Sequence, residues 1–84
     1  MRYVDIGGVR QPLKAVDWNP RYRAGIRYCA SILARKEQNR KVSTYIFEGE
    51  EFHVESDMWA VAQAVLQLSI PDRQELGWPD IGWD

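Results

Sequence analysis

The sequence predicts an α+β domain of two hairpin-plus-helix units in the order ββαββα, a mainly antiparallel sheet with two helices on one face and a C-terminal tail. Three observations carry this reading. Twice, short runs of strand-forming residues flank a glycine turn, at Gly7-Gly8 and near Gly49. Each is followed by a longer stretch in which apolar residues recur at helical spacing. The length of 84 residues suits one thin core, which buries roughly 60–65% of the surface an unfolded chain of this size exposes. Residues 1–69 are read as that single domain and residues 70–84 as an acidic, tryptophan-bearing tail.

Tyr3-Val4-Asp5-Ile6 and Val9-Arg10-Gln11-Pro12-Leu13 flank the first turn. With Gly7-Gly8 at its apex, Ile6 opposes Val9, Val4 opposes Gln11 and Asp5 opposes Arg10, and Pro12 puts the second strand at an edge or ends it. Asn19-Pro20 then supplies an N-cap followed by the residue best suited to a first helical position, so a helix is expected to about Gln38. Its stripe of Tyr22, Ile26, Cys29 and Leu33 should be buried, and Arg23, Arg27, Ser31 and Arg35 run along a neighbouring face. Asn39, Arg40 and Lys41 are candidates to close it.

The second hairpin runs from Val42 to Phe47 and from Glu51 to Glu55. A type II′ turn with Gly49 first and Glu50 second sets Phe47 against Phe52 and Tyr45 against Val54 on a core face. The other face then sets Ile46 against His53, Thr44 against Glu55 and Glu48 directly against Glu51. Ser56 is the expected cap of the second helix, whose Met58, Trp59, Val61, Ala62, Val65, Leu66 and Leu68 leave only Gln63 and Gln67 as a wet stripe, and Pro71 is expected to end it. The four strands could also pair between two chains, so a homodimer is an open arrangement.

Cys29 is the only cysteine and His53 the only histidine, which excludes an intrachain disulfide and a zinc staple. Asp5 comes too early for a signal peptide, and the longest apolar run, Met58 to Ala62, is far too short to span a bilayer. A soluble, cytoplasmic and complete chain with no membrane partner is expected. No catalytic, metal or cofactor motif stands out. Cys29 falls on a core stripe, and His53 has no hydroxyl or thiol nucleophile placed beside it.

Charge is split along the chain. Residues 1–42 hold ten of the eleven Lys/Arg against three acids, and residues 43–84 hold one against nine. This segregation points to surfaces that meet charged partners or each other. Three candidates follow. The tail residues Trp78, Asp80, Trp83 and Asp84 read either as a docking motif or as a plug for a thin core. The acidic knob of Glu48, Glu50 and Glu51, with Glu55 and Asp57 nearby, presents phosphate-like charge to a basic groove. Arg23, Arg27, Arg35, Arg40 and Lys41 form the alternative, a DNA- or RNA-binding face on the first helix. The expected function is that of a small non-enzymatic module that binds a protein partner by occupying its surface. As a class, this fits accessory or inhibitory proteins of phages and mobile elements, anti-CRISPR inhibitors among them.

Overall fold

The computed structural model describes residues 2–35, 44–79 and 81. The α+β class and the ββαββα order hold. Strands β1 (Tyr3–Ile6) and β2 (Val9–Pro12) lead through a single 3-10 turn, Ala15–Asp17, to helix α1 (Pro20–Ala34). Strands β3 (Thr44–Phe47) and β4 (Glu50–His53) precede α2 (Ser56–Leu66), and a short third helix, α3 (Ile70–Glu75), follows. The strands form two separate antiparallel ribbons, β1–β2 and β3–β4.

Each ribbon leans on the helix of the other unit: β1 packs against α2, and β3 against α1, while α1 and α2 pack on each other. The two units are therefore interlocked, and neither ribbon needs the other's edge to cover its inner face. The shared core gathers Leu13, Ile26, Cys29, Ala30, Tyr45, Met58, Val61, Ala62, Val65 and Trp78. No helix among the described residues is long and apolar enough to cross a membrane.

The first hairpin has the expected register, with Ile6 opposite Val9 and Asp5 opposite Arg10. In the second, the turn is Glu48-Gly49, with φ of 51° and 80°, the pair of positive values that a type I′ turn requires. Tyr45 consequently faces Phe52, and Phe47 faces Glu50, which slides the expected pairing by two residues. A slide of two preserves which face each side chain occupies. Tyr45, Phe47, Phe52 and Val54 still pack toward the core, but Glu48 leaves the strand and is no longer opposite Glu51.

Asn19 caps α1 as its sequence position implies, its Oδ1 accepting from the amides of Arg21 at 2.8 Å and Tyr22 at 3.4 Å. The helix stops at Ala34, with Arg35 as the C-cap, short of the expected Gln38. After Ala34 the sequence offers no apolar residue through Lys41, so further turns would bury nothing. The closing cations Arg40 and Lys41 lie outside the described residues. In α2, Glu55 holds the cap position without a side-chain bond and Ser56 is already helical, one residue from expectation.

Space is tight at Gly25, where α1 crosses α2 and β3. A Cβ on Gly25 would run into the Met58 thioether and meet the Tyr45 ring at 3.0 Å. Gly25→Val is therefore expected to lower the unfolding free energy by about 2 kcal/mol through overpacking. Urea unfolding checks this, and an unchanged midpoint would show that the crossing has slack.

The segment after α2 departs most from expectation. Pro71 opens a helix: it sits in the first turn of α3, where an amide donor is not needed, and Ser69 Oγ accepts from the Asp72 amide at 3.3 Å. Gly77, with φ of 90°, ends α3. The amide of Gly77 donates to the Gln74 carbonyl and that of Trp78 to the Arg73 carbonyl, at 3.2 and 2.7 Å. This is a Schellman closure with glycine in its left-handed position.

Arg73 binds this segment to α2. Its Nε donates to the carbonyls of Val65 and Leu68, its Nη2 to Leu66 at 2.7 Å and its Nη1 to Ile81 at 3.3 Å. The helix end leaves carbonyls without intrahelical partners and carries partial negative charge. One planar guanidinium satisfies both conditions.

Candidate functional site

Trp78 is turned inward and away from any docking surface. It is 0% exposed and is the largest fully buried side chain among the described residues. Its Nε1 donates to the Leu13 carbonyl at 2.6 Å, and its ring meets Trp18 edge-on at 6.3 Å. The Ala15 amide donates to the Leu76 carbonyl at 2.8 Å, so backbone as well as side chain joins this segment to the loop after β2. Asp80, Trp83 and Asp84 lie outside the described residues.

The arginine face of α1 is partly consumed by the same joint. Arg23 is half-buried, with Nη2 donating to the Gly77 carbonyl at 3.0 Å and its guanidinium 5.4 Å from the Trp78 ring centre. Its Nε is buried without a hydrogen-bond acceptor. Arg21, on the adjacent face, lies over the Phe52 ring at 4.8 Å. Arg27 is half-buried and Arg35 exposed. The geometry thus divides a line that the sequence makes look continuous, because the C-terminal segment lands on the first turn of α1, at Arg23.

The acidic ribbon is different. Glu48, Glu50 and Glu51 are all exposed. The ion pairs among the described residues lie elsewhere, Arg2 with Glu75 at 3.3 Å and Arg10 with Asp5 at 3.7 Å. The outer face of the ribbon carries Thr44 opposite His53 and Ile46 opposite Glu51. Ile46 is 65% exposed, an apolar residue with carboxylates beside it. Both ribbons are two-stranded, so backbone donors and acceptors along their edges have no strand partner in the described chain.

The remaining reactive groups are arranged for packing. Burial pushes the Cys29 thiol up from 9.0 to about 12. Burial, then Asp57 and Glu55, raise the Tyr22 phenol from 10.0 to about 12. Burial also raises Tyr45, against the opposing pull of Arg21, and the Tyr45 hydroxyl is buried without a partner. His53 is exposed on β4. Among the described residues, no group of three His, Cys, Asp or Glu side chains is placed to hold a metal ion.

These shifts fix the direction of an alkaline effect. Between pH 9 and 12 the folded thiol keeps a proton that the unfolded chain releases, and Tyr22 does the same from pH 10. Stability is therefore complete below pH 9 and falls as pH rises toward 12. At pH 8, Cys29 is expected to react with a thiol reagent about a hundredfold more slowly in the native protein than in urea. Equal rates in a stopped-flow assay would place the thiol at the surface.

Comparison with protein-family models, curated proteins and solved structures finds no match for this chain.

Proposed function

We propose that the chain is a non-enzymatic binding module that seats the acidic β3–β4 ribbon against a basic surface of a protein partner. The observation that carries this reading is the contrast in how the charges are used. Glu48, Glu50 and Glu51 stand exposed, with no hydrogen bond or ion pair to any described residue, and Arg23 and Arg73 are engaged inside the fold. Ile46, exposed opposite Glu51, gives the ribbon an apolar centre within a charged rim, a pattern that suits an interface. Exposed His53 and buried Cys29 support the non-enzymatic reading. The module acts by occupancy, as accessory and inhibitory proteins of phages and mobile elements do. Trp83, with Asp80 and Asp84, is a second contact proposed from composition alone.

The engagement of Arg23 by Gly77 and Trp78 weighs against the nucleic-acid alternative, since that guanidinium would have to abandon two internal contacts to reach phosphate. The combined Glu48→Gln, Glu50→Gln and Glu51→Gln variant is expected to keep its thermal midpoint within a few degrees, because all three side chains are solvated. It is expected to weaken partner binding by at least about tenfold, mostly through slower association that also becomes less salt-sensitive. Surface plasmon resonance at two salt concentrations reads both. Undiminished affinity would remove the ribbon from the interface.

A further inference from the structure

A cleft of about 290 Å³ lies between the end of β2 and the start of α1, lined by Gln11, Pro12, Asp17, Trp18, Asn19 and Tyr22. Its walls are aromatic. Trp18 and Tyr22, both half-buried, stand 5.6 Å apart between ring centres with their planes inclined by 33°. Trp18 is held by its Nε1 donating to the Pro12 carbonyl at 3.2 Å and by its edge contact with Trp78. The wall is thus anchored to the fully buried core.

Charge decides what such a cleft can take. The start of α1 is closed to anions: Pro20 has no amide hydrogen, the Arg21 and Tyr22 amides donate to Asn19 Oδ1, and the Arg23 amide donates to the Asn19 carbonyl at 2.9 Å. The Arg21 guanidinium is over Phe52. Asp17 is exposed and makes no hydrogen bond or ion pair with any described residue, so the cleft's one formal charge is an unused carboxylate. Beyond Tyr22 the field is negative too, since Asp57 and Glu55 both act on its hydroxyl. A second cleft, of about 390 Å³ and lined by Arg2, Tyr3, Val4, Asp5 and Arg10, contrasts with this one. There Asp5 and Arg10 pair with each other and Arg10 lies by the Tyr3 ring at 6.0 Å.

We infer that the Trp18–Tyr22 cleft receives an arginine side chain of the protein partner, its guanidinium stacked on the aromatic wall and paired with the Asp17 carboxylate. A guanidinium is planar, weakly hydrated and always charged, which suits an aromatic face flanked by a carboxylate better than a strongly hydrated ammonium does. The inference deepens the binding-module reading and rests on it for the source of the arginine. A basic partner surface would meet both the acidic ribbon and this cleft.

The test titrates the full chain with acetyl-arginine-amide while the indole N–H resonance of Trp18 is followed by NMR. The neutral isostere acetyl-citrulline-amide is titrated in parallel. Saturable binding with a dissociation constant on the order of a millimolar is expected for the arginine probe. Binding roughly tenfold weaker is expected for citrulline and for the Asp17→Asn variant, whose exposed site leaves the fold intact. No saturable shift, equal binding of the two probes, or an unchanged Asp17→Asn variant would overturn the inference. The two levels fail separately. Arginine binding without partner capture removes only the module reading, and ribbon-dependent capture without arginine binding removes only the cleft.

Discussion

Trp78→Ala is expected to reduce the unfolding free energy by about 4 kcal/mol, the scale for emptying a fully packed tryptophan site. The side chain is 0% exposed, and its removal takes the indole donor from the Leu13 carbonyl, the ring beneath Arg23 and the edge against Trp18. Leu13 is itself fully buried, so little water reaches the abandoned carbonyl. A domain of this size has a total stability of roughly 4–13 kcal/mol; the variant should therefore lose between about a third and all of it. Trp78→Phe separates the two contributions. It keeps most of the packing and loses the indole donor, with an expected loss of about 2 kcal/mol. Urea unfolding followed by circular dichroism should rank wild type above Trp78→Phe above Trp78→Ala. An alanine variant within 1 kcal/mol of wild type, a bound set by ordinary surface substitutions, would mean that the C-terminal segment contributes little to the core.

Arg73→Ala is expected to cost about 3 kcal/mol. Four carbonyls, those of Val65, Leu66, Leu68 and Ile81, lose their common donor, and the end of α2 loses the positive charge that opposes its dipole. Arg73→Lys restores charge but not the planar fork, so it should recover less than half of the loss. Native-state hydrogen exchange adds a local signature. Amides near the end of α2 and in α3 should lose protection first, ahead of the α1–α2 contact. A lysine variant as stable as wild type would reduce the role of Arg73 to charge alone.

Legibility from sequence follows the range of the interactions concerned. The first hairpin was readable because Gly7-Gly8 permits one compact turn and the pairing follows from it. The second was readable in its faces but not in its pairing. One glycine serves as the second residue of a type I′ turn or the first of a type II′ turn, and the Tyr45–Phe52 ring contact at 6.0 Å belongs to the observed choice. The third helix carried its signals openly in Ser69, Pro71 and Gly77. Pro71 resembles a stop for α2, but its position after the capping Ser69 makes it a start for α3.

Sites were less legible than elements. Nothing local distinguishes Arg23 from Arg27, and only the landing of Gly77 and Trp78 on α1 draws Arg23 inward. Arg73 did leave a trace, as the single cation in the acidic second half. Its role became visible once the end of α2 was placed beside it. The cleft at Trp18 joins residues from β2 to α1 whose proximity depends on the loop between them, so it had no motif to announce it.

The measurement that bears most directly on the binding-module account is a tagged capture from source-cell lysate, treated with nuclease. It compares the wild-type chain with the Glu48→Gln/Glu50→Gln/Glu51→Gln variant. A defined protein retained by wild type after nuclease and lost with the variant is the predicted result. Retention of nucleic acid in place of protein, or equal capture by both chains, would contradict the account.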